Sequence, residues 1–169
     1  MSDHIPLIYS DKDSNTLHRG RVSLAHEILS GIPEELIQLD HFYAPGQSSW
    51  TDYCNTIACG AGWLALHPAF QNMGLRPRIH EWERSGVEFI ERYTVLKGFD
   101  ALAAVFVVGD WLTGDTCVRN MFSEYSYGDW DHVLLKLHKA YYKNAATDRD
   151  LLLMRLRYAY QHHCGHDTV

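Results

Sequence analysis

The hydrophobic pattern of the chain predicts a series of helices, and the most distinctive of them covers residues 54–66. Asn55 or Thr56 can cap its start, and it has to end before Pro68. Two glycines lie inside it, where each costs on the order of 1 kcal/mol relative to alanine. Because glycine and alanine leave one side of this helix nearly bare, a second element can approach closely and offset that cost. We therefore predict a buried central helix here.

Apolar periodicity and capping residues predict other helices along the chain. In the first of them one face is apolar and is formed by Val22, Ala25 and Leu29. Gly31 and Gly74 are placed to end two of them, and Gly98 opens a strongly apolar one. Asp115 or the threonine two residues before it can cap another. The predicted helices cover residues 17–30, 34–39, 68–73, 99–108, 115–122 and 129–141.

The last predicted helix begins at Thr147, where the sequence Thr-Asp-Arg-Asp has the form of a capping box. Apolar residues recur after it at helical spacing, which places one face of the helix toward the core. We assign to this inner face Leu152, Leu153, Leu156, Ala159 and Tyr160.

Residues 78–95 have a different pattern. Two runs, 78–84 and 87–95, flank the pair Ser85 and Gly86, and the second run alternates with a period of two. This predicts a small β-hairpin that packs on the helices, because an isolated hairpin is marginal in water. The fold class that follows is mostly α (α+β). We predict a single compact helical domain over residues 1–169, with residues 1–17 loosely ordered and residues 162–169 forming a C-terminal tail.

Composition excludes several classes of protein. Lysine and arginine number 15 against 21 acidic residues, a net charge of −6 without a basic stripe, so we expect no nucleic-acid partner. No apolar run reaches the ~18 residues of a membrane span, and the first residues lack the form of a secretory signal. Four cysteines at uneven spacing indicate a reduced, cytoplasmic protein rather than a disulfide framework.

The cysteines allow two chemical hypotheses beside the simpler one of buried structural thiols. Cys54 precedes a predicted helix, whose N–H groups would favour a thiolate, and Gln47 upstream could donate to an oxyanion. A cysteine hydrolase with Cys54 as nucleophile would then need a histidine. His80 lies on a candidate strand, whereas the other candidates, His132 and His138, lie in a predicted amphipathic helix.

The second chemical hypothesis is a structural zinc site. The spacing between Cys54 and Cys59 is wider than in a zinc knuckle, but the C-terminal segment is rich in ligands. Cys164 and His166 could complete a tetrahedral site with the two earlier cysteines, giving a zinc-stabilised binding module. Our main interpretation has no metal or other cofactor.

An aromatic and acidic segment at residues 111–131 predicts a binding surface. Tyrosine and tryptophan beside glycine and serine are typical of interfaces, and an acidic rim suits a basic partner surface. The alternative is that these rings cover the core between two helices. The candidate binding residues are Trp111, Asp115, Glu124, Tyr125, Tyr127, Asp129 and Trp130.

The run from Cys54 to Trp63, Cys-Asn-Thr-Ile-Ala-Cys-Gly-Ala-Gly-Trp, resembles a signature of small bacteriophage and bacterial proteins, Cys-Gly-Thr-x-x-Cys-x-x-Gly-Trp/His. The similarity extends as a pattern over about residues 20–143, and Asn55 replaces the usual glycine. The resemblance implies a phage or prophage accessory protein in the bacterial host cytoplasm, and it supplies no catalytic residue. We therefore expect a non-enzymatic protein that binds and modulates or inhibits a host protein.

Overall fold

The computed structural model describes residues 16–37, 59–78, 86–91, 94–108, 115–122 and 147–165. These residues form a mostly helical α+β domain with a small antiparallel sheet, which confirms the predicted fold class. The predicted helix at 129–141 and residues 1–15 lie outside the described part of the chain. The elements are α1 (Arg19–Ser30), a 3₁₀ turn (Glu34–Leu36), α2 (Gly60–Leu66), α3 (Pro68–Met73), β1 (Leu75–Arg78), β2 (Gly86–Glu91), β3 (Thr94–Lys97), α4 (Phe99–Phe106), α5 (Asp115–Phe122) and α6 (Asp148–His162).

Helix α2 is the buried central helix that the sequence predicts, since all seven of its residues are buried. A Cβ atom added to Gly60 would clash with a methyl carbon of Leu152, so α6 approaches the backbone of α2 closely at this point. The predicted start at Asn55 or Thr56 is wrong, because Cys59 has an extended backbone and the helix begins after it. Gly60 thereby occupies the first helical position, where it avoids the cost of an interior glycine.

Helices α1 and α6 pack along each other and run in opposite directions. Arg19 at the start of α1 contacts Tyr160 near the end of α6, whereas Arg149 at the start of α6 donates to the Ile32 carbonyl after α1 ends. The predicted cap of α6 is confirmed, because the Thr147 hydroxyl accepts a hydrogen bond from the Asp150 N–H at 3.2 Å. The inner face of α1 is also as predicted, with Val22, Ala25 and Leu29 buried.

One residue of the predicted inner face of α6 is misassigned. Tyr160 is 38% exposed, whereas Tyr158, which is not among the residues predicted for this face, is 1% exposed. Helix α6 packs against α5 as well as α1, so its buried face is broader than a single stripe and also includes Arg155. Tyr160 lies at the edge of this face, with the Arg19 guanidinium over its ring.

Leu17 belongs to the segment predicted to be loosely ordered, but it is bonded to residues at the ends of both α4 and α6. Its side chain is fully buried, its N–H donates to the His163 carbonyl at 2.7 Å, and its carbonyl accepts from the Gly165 N–H at 3.1 Å. On the other side it forms an antiparallel bridge with Val107. Because of these bonds, residues 163–165, predicted as part of a tail, pack against the core, and His163 is 4% exposed.

The sheet has three strands in the order β1-β2-β3, rather than the predicted two. The run from 87 to 95 is not one strand, because it folds back and pairs Glu91 with Thr94. Before β1, Gly74 has a φ of 112°, a conformation that side chains rarely adopt, and a Cβ there would lie 2.7 Å from the Phe89 ring. The ring can therefore pack directly on the turn between α3 and β1.

The helices meet in one hydrophobic core that α2 and α4 share. The Phe106 ring of α4 lies 5.6 Å from that of Phe70 in α3 and 5.3 Å from that of Phe122 in α5, measured between ring centroids. These tilted aromatic pairs connect α3 and α5 to α4 within the core. None of the helices in the described ranges has the length and apolar character needed to cross a membrane.

Candidate binding groove

Most of the predicted aromatic and acidic binding surface falls outside the part of the chain that the structure describes. Asp115 is the first residue of α5, and nothing further is described of its side chain. Its proposed role stays a prediction, as do those of the six residues outside the described ranges: Trp111, Glu124, Tyr125, Tyr127, Asp129 and Trp130.

The cysteine that directly precedes α2 is Cys59, whereas Cys54 and His80, the predicted hydrolase pair, lie outside the described ranges. The Cys59 side chain is buried, and its burial raises the pKa of the thiol. The backbone N–H groups of Gly62 and Ala61 oppose this effect by favouring the thiolate, but burial is the larger cause. Cys59 is thus held as a protonated core thiol, which is unsuited to nucleophilic attack.

We expect Cys59 to react slowly with a thiol reagent in the native protein and at the rate of a free thiol after unfolding. The reason is that it is both inaccessible and protonated. Labelling of native and urea-unfolded samples, followed by peptide mass mapping, measures this for each cysteine. Rapid native labelling of Cys59 would contradict its assignment to the core, and the partly exposed Cys164 serves as the internal comparison.

The proposed zinc site receives no support from the two of its four residues that are described. Cys59 lies at the start of α2 and Cys164 after α6, where Cys164 bridges to Leu17. Within the described ranges, no group of three histidine, cysteine, aspartate or glutamate side chains is arranged to hold a metal ion. Cys54 and His166 lie outside these ranges.

The described residues form a groove between α1 and α6. Its volume is about 150 Å³, comparable to a cavity that holds one benzene-sized group. Two of its lining side chains, Val22 and Leu156, are apolar and fully buried beneath it, and the others are polar or aromatic. The lining residues are Val22, Ser23, His26, Leu156, Arg157, Tyr160 and Gln161.

A hydrogen bond across the rim orients Arg157. Its Nε donates to Nε2 of His26 at 3.2 Å, which requires a neutral His26 with its proton on Nδ1. Burial lowers the pKa of His26, and the Arg157 charge lowers it further, so the neutral form is favoured. The terminal nitrogens of Arg157 donate to no other residue that the structure describes.

The aromatic side of the rim is Tyr160, which is held by Arg19. The Arg19 guanidinium carbon lies 5.1 Å from the centroid of the Tyr160 ring, and one of its terminal nitrogens donates to the Cys164 carbonyl. A cation over an aromatic ring is stabilising by roughly 0.5–1 kcal/mol at an exposed site. Tyr160 is therefore positioned, although more than a third of it is exposed.

The charge around the groove differs from the charge of the whole chain. No aspartate or glutamate occurs in residues 16–26 or 151–165, the two stretches that supply the groove, although the net charge is −6. At the opposite end of the same helix pair, Arg149 lies 3.9 Å from carboxylate oxygens of both Glu34 and Asp150. Of the acidic residues of α1 and α6, Glu27 directly follows His26 of the groove, and Asp148 and Asp150 lie at the opposite end of the helix pair.

Sequence reasoning missed this groove, but one signal was present. The acid-free stretches at residues 16–26 and 151–165 are visible in the sequence, while their proximity is not, because it depends on how α1 and α6 pair. Because Tyr160 was assigned to the inner face of the last helix, its position on the rim of the groove was not predicted.

Comparisons with known proteins neither support nor contradict the resemblance drawn from the sequence. No protein-family model, curated protein or solved structure matches the chain. Function therefore has to be inferred from the groove and the sequence.

Proposed function

We propose that the protein is a bacteriophage accessory protein that binds a host protein in the bacterial cytoplasm and modulates or inhibits it without catalysing a reaction. The phage setting is supported by the resemblance around residues 54–63. The observation that carries the binding function is the groove, where Arg157 and Tyr160 are both exposed and both held in place by neighbours. Preorganised arginine and tyrosine side chains are the residues that most often dominate protein interfaces.

Two surfaces are candidates for the contact with the partner. One is the groove, whose rim presents Arg157 and Tyr160. The other is the predicted acidic and aromatic surface at residues 111–131, which would suit a basic partner. A host protein with both an acidic and a basic region could engage the two surfaces together.

An enzymatic function has less support than binding. The hydrolase hypothesis requires a histidine within hydrogen-bond reach of the Cys54 sulfur. Of the two cysteines of the motif, Cys59 lies in the described part of the chain, and its thiol is buried and protonated. The groove itself offers a neutral histidine and an arginine. Among the described residues, no hydrogen bond joins the Ser23 hydroxyl to His26, so the histidine has no nucleophile to activate.

Affinity capture tests the proposed function. Tagged wild-type protein is expected to retain a specific protein from a bacterial lysate, and the combined substitution of Trp111, Tyr125 and Tyr127 by alanine is expected to reduce that capture by at least about tenfold. Circular dichroism and thermal unfolding of the triple variant check that it folds.

Two results would count against this proposal. If the wild-type protein retains nothing above an unrelated acidic protein of similar size, a host-binding function is wrong. If the triple variant is unfolded, the three rings belong to the core and the aromatic surface does not exist; single substitutions then assign each ring.

A further inference from the structure

The sheet has an inner face and an outer face. Leu75 and Val87 are buried on the inner face, and Phe89 and Leu96 pack beside them against the core. Because successive side chains of a strand point to opposite faces, the neighbours of these residues along each strand lie on the outer face. The described side chains of the outer face are those of Arg76, Glu88, Ile90, Val95 and Lys97.

Two residues of the outer face form a small apolar patch. Ile90 and Val95 are 39% and 46% exposed, and they are direct cross-strand partners on β2 and β3. Single exposed aliphatic residues are common on protein surfaces, but an adjacent pair is a contiguous patch that a partner can remove from water. Covering this patch would therefore favour association.

Beside the apolar pair, the charges of the outer face alternate in sign across the three strands. Glu88 on the central strand is the cross-strand partner of Arg76 on β1 and of Lys97 on β3. Within the described ranges, no ion pair joins the Glu88 carboxylate to either of them. The row can therefore pair with charges of opposite sign on an approaching surface, and it repels a surface whose charges do not match.

The apolar pair and the charged row are complementary to themselves under a two-fold rotation. A two-fold axis parallel to the strands and midway between β2 and β3 lays β2 of one copy over β3 of the other. Ile90 then lies over Val95 of the second copy and Glu88 over its Lys97, and each contact occurs twice. An axis between β1 and β2 would lay Glu88 over Arg76, but it would leave β3 and therefore Val95 outside the overlap. The apolar pair thus selects the first axis.

We propose that two copies of the protein associate as a two-fold symmetric dimer through the outer faces of their sheets. The occupant of this face is a second copy because the same face supplies both halves of every contact. Packed sheets lie ~10 Å apart with their strands within about 30° of one another, so the apolar and charged rows can stay aligned. The strands contain four, six and four residues, which gives a contact face of roughly 300 Å². That is below the ~800 Å² per partner of a stable interface, so we expect a weak dimer with a dissociation constant of about 10–500 μM.

Sedimentation velocity of the full-length protein at concentrations from about 5 to 1000 μM tests this proposal. The sedimentation coefficient of the wild type is expected to rise from that of one chain toward that of two, and to rise less at high salt because the charge contacts are screened. Val95→Lys places a charge in the apolar row and is expected to weaken the association by about tenfold or more. Val108→Lys makes the same change at a similarly exposed position outside the sheet and should leave it within about twofold of wild type.

Charge reversals identify the axis of the dimer. Glu88→Lys and Lys97→Glu each bring like charges together at both contacts, so each variant alone is expected to sediment as a single chain. An equimolar mixture of the two restores opposite charges at both contacts and is expected to associate at least as tightly as the wild type. A mixture of Glu88→Lys with Arg76→Glu has the same net charges but the wrong register, and it should associate less. Circular dichroism checks that each variant folds.

Several outcomes would overturn the proposal. These are a wild type that sediments as a single chain at every concentration, equal effects of Val95→Lys and Val108→Lys, and a mixture with Arg76→Glu that associates more tightly than the mixture with Lys97→Glu. If the wild type stays a single chain and Val95→Lys alone loses a host protein captured from lysate, the outer face binds that protein instead of a second copy. Self-association goes beyond the proposed host binding, so either can fail while the other stands.

Discussion

Substitution of Trp63 by alanine is expected to lower the free energy of unfolding by about 3–5 kcal/mol, a large share of the 5–15 kcal/mol typical of a domain. Trp63 is fully buried in α2, and its indole N–H donates to the Leu36 carbonyl at 2.9 Å. Alanine would leave a cavity where the central helix meets the 3₁₀ turn, and it would remove the donor for that carbonyl. Urea denaturation followed by circular dichroism measures the change.

A series of substitutions separates the two effects at Trp63. Trp63→Phe keeps most of the apolar volume and loses the hydrogen bond, so its cost is expected to be smaller, about 1–3 kcal/mol. Tyr160→Ala is the matched aromatic truncation at an exposed position and should cost no more than about 1 kcal/mol. A loss of less than about 1 kcal/mol for Trp63→Ala would mean that α2 is not the centre of the core.

The helices of this fold were predictable wherever one local rule determined them. The cap at Thr147, the stop at Gly74 and the apolar face of α1 depend on residues within a few positions of one another, and all three are confirmed. The small residues of α2 predicted that a second element approaches it closely, and Leu152 of α6 does so at Gly60, the first residue of the helix.

Features that depend on distant parts of the chain were missed. The alternating pattern at 87–95 does not reveal that the chain reverses and pairs Glu91 with Thr94. The burial of Leu17 depends on partners at Val107 and His163, far away in sequence. Tyr158 rather than Tyr160 is buried because α6 contacts two helices, and periodicity along α6 cannot reveal how many helices pack against it.

The groove shows the same limitation for the site. Arg157 and His26 are separated by 131 positions, and their hydrogen bond follows only from the antiparallel packing of α1 on α6. Segments dense in reactive or aromatic residues, such as the cysteine motif and residues 111–131, are recognisable in the sequence. A site whose residues are contributed singly by two helices forms no dense segment of this kind. Its signal in the sequence is limited to the two stretches without aspartate or glutamate, residues 16–26 and 151–165.

Acidification from pH 7 to pH 4 is expected to destabilise the protein through His163. This side chain is 4% exposed, and burial, together with the charge of the adjacent His162, lowers its pKa to about 4. Between the ordinary histidine pKa of ~6.5 and about 4, the unfolded chain binds the proton more readily than the folded one, so stability falls as pH falls. The difference in pKa corresponds to about 3 kcal/mol, and the lowered pKa values of His18, His26 and His67 act in the same direction.

Urea denaturation at pH 7, 6, 5 and 4 of the wild type and of His163→Gln isolates this contribution. Carboxylates also titrate near pH 4, but they are the same in both proteins, so their effect cancels when the two pH profiles are subtracted. The variant is expected to lose about 3 kcal/mol less than the wild type over this range, whatever its stability at pH 7. His162→Gln, which removes the neighbouring charge and leaves His163 buried, should retain most of the pH dependence because burial is the larger cause. Parallel profiles for wild type and His163→Gln would show that His163 is accessible to protons in the folded state, and the packing of Leu17 against residues 163–165 would then be wrong.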